Sequence, residues 1–180
     1  RGYAWIFPKG NKVSIGVACN GSYNLAKVLK DYAEKRGFKN ITRVYGWYIP
    51  YAESSRDVFY GKERILLTGD AGNLTDPLLG EGIYYAVWSG KVAVDAIISS
   101  PSNPTENYKI LLKDLVSELV YAGKIARLGY RFQKVAYKMA KKGALKTYYR
   151  LLTGNMSYKE LFAKGLLDFL KEFAYNYVWR

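Results

Sequence analysis

The chain has 180 residues and carries 28 Lys and Arg against 15 Asp and Glu, a formal net charge of +13. Hydrophobic residues make up 49% of it, which excludes a disordered chain and implies a packed core. It contains no histidine, which excludes Ser-His-Asp chemistry, histidine-activated thiols and the common zinc sites; no metal site is expected, and catalysis would rest on a cofactor.

Taken in chain order, Tyr3–Phe7 and Val13–Ala18 read as two strands joined across Pro8-Lys9-Gly10-Asn11-Lys12, a hairpin. The chain opens straight into the first of these strands after Arg1-Gly2, as a piece of a longer protein would. The lone Cys19 allows no internal disulfide and reads as a small buried hydrophobe. Asn20-Gly21-Ser22 supplies a turn and an N-cap. Leu25, Val28, Leu29, Tyr32 and Ala33 then recur at helical spacing, and Gly37 ends the helix. Ile41–Ile49 is rich in β-branched and aromatic residues and stops at Pro50, so a core strand is expected there. Asp57–Tyr60 and Ile65–Thr68 read as two further short strands. From Gly82 the period becomes helical, with Ile83, Ala86, Val87, Gly90, Val94 and Ile97 on one face. Ser100–Thr105 is a linker and helix start, and the rest is helical with breaks near Gly143 and Gly154-Asn155. No apolar run reaches the roughly 18 residues of a membrane-spanning helix. Strands first and helices last give an α+β chain.

The densest stretch is Ile65 to Ile98. An apolar strand runs into Gly69-Asp70, a loop with Pro77 follows, then Gly80-Glu81-Gly82, then a long helix. Asp70 falls just past the end of the strand, where ligands of open α/β sheets bind, and an ionised carboxylate accepts hydrogen bonds from ribose or ribityl hydroxyls. Gly80 and Gly82 let a flat ring approach the main chain, and the helix N-terminus at Gly82 and Ile83 favours negative charge. A flavin, whose reduced ring is anionic, suits such a corner. The plainer reading is a strand–loop–helix turn with Asp70 as a cap.

Gly69-Asp70-Ala71-Gly72, Pro77, Gly80-Glu81-Gly82-Ile83-Tyr84, Ala86 and Ser89-Gly90 together resemble the second flavin motif of the geranylgeranyl reductase family. Tyr3-Ala4-Trp5-Ile6-Phe7-Pro8 resembles the substrate-domain motif of the same enzymes, and Gly46–Pro50 their strand leading into the Gly-Asp turn. The resemblance implies the C-terminal part of a p-hydroxybenzoate hydroxylase-like fold. Residues 1–60 would end the substrate-binding sheet domain, 61–100 would close the FAD-binding domain, and 101–180 would form a helical C-terminal region. It implies FAD as cofactor, bound by Asp70 at the ribityl chain and by Pro77, Gly80, Gly82 and Ile83 near the ring. It implies reduction of isoprenoid double bonds in geranylgeranyl lipids, precursors of archaeal ether phospholipids, fed by NADPH or ferredoxin. Tyr3, Trp5 and Phe7, alternating on one strand face, would hold the prenyl tail. The family's first flavin motif, Gly-x-Gly-x-x-Gly, is not in this sequence, so the chain alone is expected to be inactive. No catalytic residue is singled out; Glu81 has only its location to support it as a proton donor, and Tyr84 and Tyr85 no more.

Lys124, Arg127, Arg131, Lys134, Lys138 and Lys141 recur every three or four residues beside an apolar stripe of Ile125, Leu128, Phe132, Val135 and Met139. From Tyr121 to Arg150 there is no acidic residue. One continuous amphipathic helix is expected, either a solvated face or a surface for anionic lipid, with Lys124 and Arg131 as candidates for a phospholipid headgroup and Tyr121 continuing the apolar slot. The tail's Leu161, Phe162, Leu166, Phe169, Leu170, Phe173, Tyr175, Tyr177 and Trp179 read as a docked helix, or alternatively as interfacial aromatics. The expected enzyme is cytoplasmic and peripheral to the membrane, with an anionic membrane surface as partner and no nucleic acid. Two alternatives stand beside it: a flavin monooxygenase or halogenase of the same fold, and a non-catalytic piece that only binds anionic lipid.

Overall fold

The computed structural model describes residues 2–141 and 143–177, the side chains of 140, 144, 167, 169 and 171–177 excepted. The chain divides into two compact units, Arg1–Trp47 and Tyr48–Arg180.

In the first unit, β1 (Gly2–Lys9) and β2 (Lys12–Cys19) form the expected hairpin, antiparallel from Gly2 opposite Cys19 to Lys9 opposite Lys12. Trp5 stands opposite Gly16, and its indole occupies the space a side chain there would need: a Cβ on Gly16 would fall 1.8 Å from the ring. The helix α1 (Leu25–Lys35) touches β2 and buries Ala33. Its N-cap is Asn24, whose side chain accepts from the Lys27 amide at 3.0 Å, not the upstream Asn20-Gly21-Ser22 turn. Gly37 ends it at φ +82°, with the Phe38 amide donating back to the Ala33 carbonyl.

The segment Ile41–Ile49 departs from expectation. It forms no strand, and its aromatic residues are exposed rather than core, Trp47 at 95% and Tyr48 at 93%. β-branched and aromatic composition yields a strand only where a neighbour completes the ladder. Among the described residues, the sheets are two separate hairpins, and neither includes this segment.

The second unit opens with Tyr51 bridged to Leu74 and a 3₁₀ turn at Ser55–Asp57 closed by a reciprocal Ser54–Asp57 capping box. Asp57, bound there by Ser54, is held below the usual carboxylate range. Both strands that follow are shorter than the sequence implied, and the first is later: β3 (Gly61–Lys62) and β4 (Ile65–Leu66) flank Glu63-Arg64, with Asp57–Tyr60 outside both. A 3₁₀ turn at Gly69–Gly72 leads into the loop and then α2 (Ile83–Ser99). Beyond it lie α3 (Pro104–Leu111), α4 (Lys113–Arg131), α5 (Gln133–Lys141), α6 (Ala144–Leu152) and α7 (Tyr158–Tyr177). Pro104 occupies the first turn of α3, where its missing N–H costs nothing.

The core gathers Leu74, Val92, Ala96, Tyr108, Leu112 and Leu119. Tyr108 is fully buried, donates to the Leu67 carbonyl at 3.0 Å, and has its phenol pushed up to about 12 by burial. The expected continuous basic helix is broken: Phe132 leaves helical geometry at φ −118°, ψ 55°, separating α4 from α5. The buried face of α4 is Val116, Leu119, Ala122 and Ala126, while α5 turns Val135 inward and lies against α4 and α7. One straight helix would satisfy the sequence period; packing against α7 favours the bend. The tail does dock, α7 lying on α4, with Phe162 against Tyr121 at 5.8 Å between rings. The side chains of Phe169, Phe173, Tyr175 and Tyr177, and all of Trp179, lie outside the described residues.

Candidate functional site

The corner between β4 and α2 is built by hydrogen bonds that sequence spacing does not display. Gly69 sits at φ +53°, a conformation that side chains resist, and a Cβ there would meet that of Ala86 at 2.8 Å. Its amide donates to the Ser89 hydroxyl at 2.9 Å, and Ser89 in turn donates to the Ala86 carbonyl. The Gly-Asp turn is thereby fastened to α2 two turns into the helix. Ser89 is fully buried, so this contact is structural.

Asp70 follows on the exposed side of the turn. Its Oδ1 accepts from the Thr75 hydroxyl at 2.9 Å, and its Oδ2 accepts no hydrogen bond from the described residues. Gly82, the N-cap of α2, packs edge-on to this carboxylate: a Cβ there would lie 3.1 Å from Asp70 Oδ1. Gly80 turns the chain at φ +70°, and Ile83 is exposed at the first turn of the helix. Asp70 and Gly82 thus meet at one corner, with Gly80 two residues before Gly82 and exposed Ile83 just after it. The helix N-terminus is not wholly bare, because Glu81 Oε1 accepts from the Tyr84 amide at 2.9 Å. Glu81 complements the helix dipole there.

The loop between Gly72 and Gly80 is held by a residue that sequence reading passed over. Asp76 is 1% exposed. Its Oδ1 accepts from the Leu78 and Leu79 amides, and its Oδ2 from the phenols of Tyr85 and Tyr158. Burial, and then the Asp76 carboxylate, push both phenols well above the ordinary tyrosine range. The Asp76 amide donates to the Glu81 carbonyl at 2.8 Å, and the Gly80 amide to the Asp76 carbonyl at 2.9 Å, closing the loop. From α4, Tyr130 donates to the Leu78 carbonyl at 2.6 Å, and Gly123 leaves room for Pro77, whose Cγ would lie 3.5 Å from a Cβ there. Pro77 therefore sits against α4. Tyr158, at the start of α7, is fixed by its amide donating to Glu118 of α4 and by a Ser157–Glu160 capping box. Helices α2, α4 and α7 clamp one loop. The signal for Asp76 was faint: an acidic residue before Pro in a Gly-rich loop, with its tyrosine partners 9 and 82 positions away.

The remaining candidates fall elsewhere. In the first unit, Tyr3, Trp5 and Phe7 do share one face of β1, with ring centroids 5.7 Å apart for Tyr3 and Trp5 and 6.4 Å for Trp5 and Phe7. Tyr3 and Phe7 are exposed, and Trp5 is half-buried over Gly16. In the second unit, Lys124 lies 4.5 Å from the Tyr121 ring centroid and 5.7 Å from that of Phe162, which gives Tyr121 a cation to face rather than an empty slot. Arg131 stands over Phe132, and Arg127 pairs with Glu53 at 2.7 Å. All six basic residues from Lys124 to Lys141 are exposed, on two helices. The predicted apolar face of α2 is likewise exposed at Ile83, Val87, Val94 and Ile97, while Tyr85, Ser89, Val92, Ala93 and Ala96 make the buried side. An open hollow of about 450 Å³ lined by Val58, Tyr60, Lys62, Ile65 and Leu67 does not include the Asp70 corner.

Among the described residues, no helix is long and apolar enough to cross a membrane. No family model matches the chain, and no solved structure does. Curated proteins do. The chain is 34% identical over 131 residues to an uncharacterized protein of Methanosarcina barkeri, covering 70% of this chain and 33% of that one. It is 33% identical over 106 residues to the digeranylgeranylglycerophospholipid reductase of Methanosphaerula palustris, covering 54% of this chain and 26% of the relative. To the chloroplastic geranylgeranyl diphosphate reductase of Nicotiana tabacum it is 33% identical over 102 residues, 53% of this chain and 21% of the relative. The chain therefore spans a third or less of the length of these three relatives. Archaeal digeranylgeranylglycerophospholipid reductases and a plant geranylgeranyl diphosphate reductase each match more than half of the chain, and by that likeness the chain belongs to the geranylgeranyl reductase family.

Proposed function

We propose that this chain supplies the closing part of a flavin site in an enzyme that reduces isoprenoid double bonds of geranylgeranyl lipids. The observation that carries the reading is the Asp70–Gly82 corner: an exposed carboxylate with one oxygen to spare, beside a glycine where a Cβ would press on it, at the start of a helix. These residues fit the ribityl chain and ring edge of FAD. The reading also draws on the relatives, of which those named by activity above are reductases of geranylgeranyl compounds.

In this reading residues 1–60, 61–100 and 101–180 are the end of a substrate sheet, the close of an FAD domain and a helical region of a p-hydroxybenzoate hydroxylase-like fold. When bound, FAD supplies a hydride for an alkene carbon. The chain's own residues hold and orient. Asp70 accepts from ribityl hydroxyls, Gly80 and Gly82 admit the ring to the backbone, and Ile83 offers an apolar edge. Pro77, pressed on α4, keeps the loop from closing over that space. Glu81 keeps its carboxylate on the Tyr84 amide and so limits how much negative charge the helix start accepts. The Tyr3–Trp5–Phe7 face suits a prenyl tail, and Lys124 and Arg131 suit an anionic headgroup. The electron donor is NADPH or ferredoxin, and the enzyme works in the cytoplasm at an anionic membrane surface.

The test is reduction of a geranylgeranyl ether phospholipid by the enzyme that contains this chain, with FAD and a chemical reductant, followed by mass spectrometry. A gain of two hydrogens per double bond is expected, together with loss of bound flavin in the Asp70→Ala variant. Insertion of oxygen into the lipid, or full flavin retention by that variant, would overturn the reading.

A further inference from the structure

We infer that α6 is an interfacial anchor that lies in the surface of an anionic lipid bilayer, a step that rests on the membrane part of the reading above and gives it a location. In α6, Leu145, Tyr148, Tyr149 and Leu152 recur at i, i+3, i+4 and i+7 and form one exposed stripe, Leu145 at 82% and Leu152 at 62%. The other side, with Thr147 and Leu151, is half-buried, and the helix touches α5. α5 is in turn fixed through fully buried Val135. The stripe is therefore the outward side of a docked helix.

What covers such a stripe is decided by the charge around it. Lys146 is exposed on α6 itself and Lys141 shortly before it in the chain, and no acidic residue occurs from Tyr121 to Arg150. An apolar face on a stretch of chain whose charges are all positive matches the boundary of an anionic bilayer: leucines reach the acyl chains, tyrosines sit at the headgroups, and lysines meet lipid phosphates. The exposed apolar face of α2 makes the contrast. It is flanked by a Lys91–Asp95 ion pair at 3.2 Å, so its charge selects nothing. Nucleic acid would satisfy the lysines but leave Leu145 and Leu152 in water. With nine residues, α6 is far short of the roughly 20 needed to span a bilayer, so it lies in the plane of the surface.

The test uses the whole chain with vesicles of phosphatidylcholine alone or mixed equally with phosphatidylglycerol. In a Cys19→Ser background, Tyr149→Cys carries an environment-sensitive fluorophore. Partitioning to the anionic vesicles only, weakened by salt, with the fluorophore moving to an apolar environment, is expected. Leu145→Ser with Leu152→Ser should weaken partitioning by about tenfold or more, and both positions are exposed, so circular dichroism should be unchanged. Absence of vesicle binding overturns the proposal. So does binding that survives the leucine substitutions and is lost only in Lys141→Glu with Lys146→Glu, which would mean a purely electrostatic surface. Burial of the fluorophore without vesicles, in a concentration-dependent manner, would assign the stripe to a second copy and overturn it as well. Tighter binding to single-stranded RNA than to vesicles would do the same. No flavin or lipid reduction enters these measurements. If the chain partitions but the enzyme that contains it reduces no lipid, the enzymatic reading alone falls; if that enzyme reduces lipid in detergent and the chain does not partition, only this one falls.

Discussion

Two carboxylates, Asp70 and Asp76, lie six residues apart, and they do different work. Asp76 is buried, accepts from two amides and two phenols, and ties the loop to α2 and α7. Asp70 is exposed, accepts from one hydroxyl, and keeps an oxygen open beside Gly82. A saturated buried acceptor holds structure, because removing it strands every donor it served. A half-used exposed one is available to a ligand. The same residue type in the same loop is sorted by burial and partners, and the comparison also shows why the helical tail matters: α4 and α7 supply the clamp on a loop whose open face belongs to the FAD reading.

The sharpest way to break the comparison is Asp76→Ala. It should lower unfolding stability by about 3–5 kcal/mol in a urea titration, since buried tyrosine hydroxyls and loop amides lose their acceptor together. Asp70→Ala should instead leave stability within about 1 kcal/mol and lower flavin affinity by about 10- to 100-fold in a fluorescence titration. Equal destabilisation by the two would erase the distinction. Tyr158→Phe should cost about 1–2 kcal/mol and leave flavin affinity unchanged if the clamp acts only on the fold.

The same clamp sets an alkaline limit. Tyr85 and Tyr158 have folded values raised by burial and by Asp76, so their contribution is intact below the ordinary tyrosine value of about 10 and declines as pH rises above it. The urea midpoint should fall above about pH 10, less steeply in Tyr158→Phe than in the parent chain. The smallest effect is expected from Gly82→Ala. Its φ of −123° accepts a side chain, so stability should hold within about 1 kcal/mol. Its Cβ, 3.1 Å from Asp70 Oδ1, should shift that carboxylate and lower flavin affinity less than Asp70→Ala does.

The sequence on its own determined the β1–β2 hairpin, the start of α2 at Ile83, a helix start within Ser100–Thr105 and the family resemblance. Each rests on neighbours close along the chain: alternation, a capping position, a glycine at a turn. It also pointed to Asp70 and Gly82, which lie side by side where the turn meets the helix. Tertiary structure alone decided that Ile41–Ile49 forms no strand, that the basic helix bends at Phe132, and that Asp76 rather than Asp70 is the buried carboxylate. A strand needs a partner, a bend needs something to pack against, and Asp76 needs Tyr158, which stands 82 residues further on. Local spacing carries none of these, because each is stabilised by a contact between segments that meet only when the chain folds.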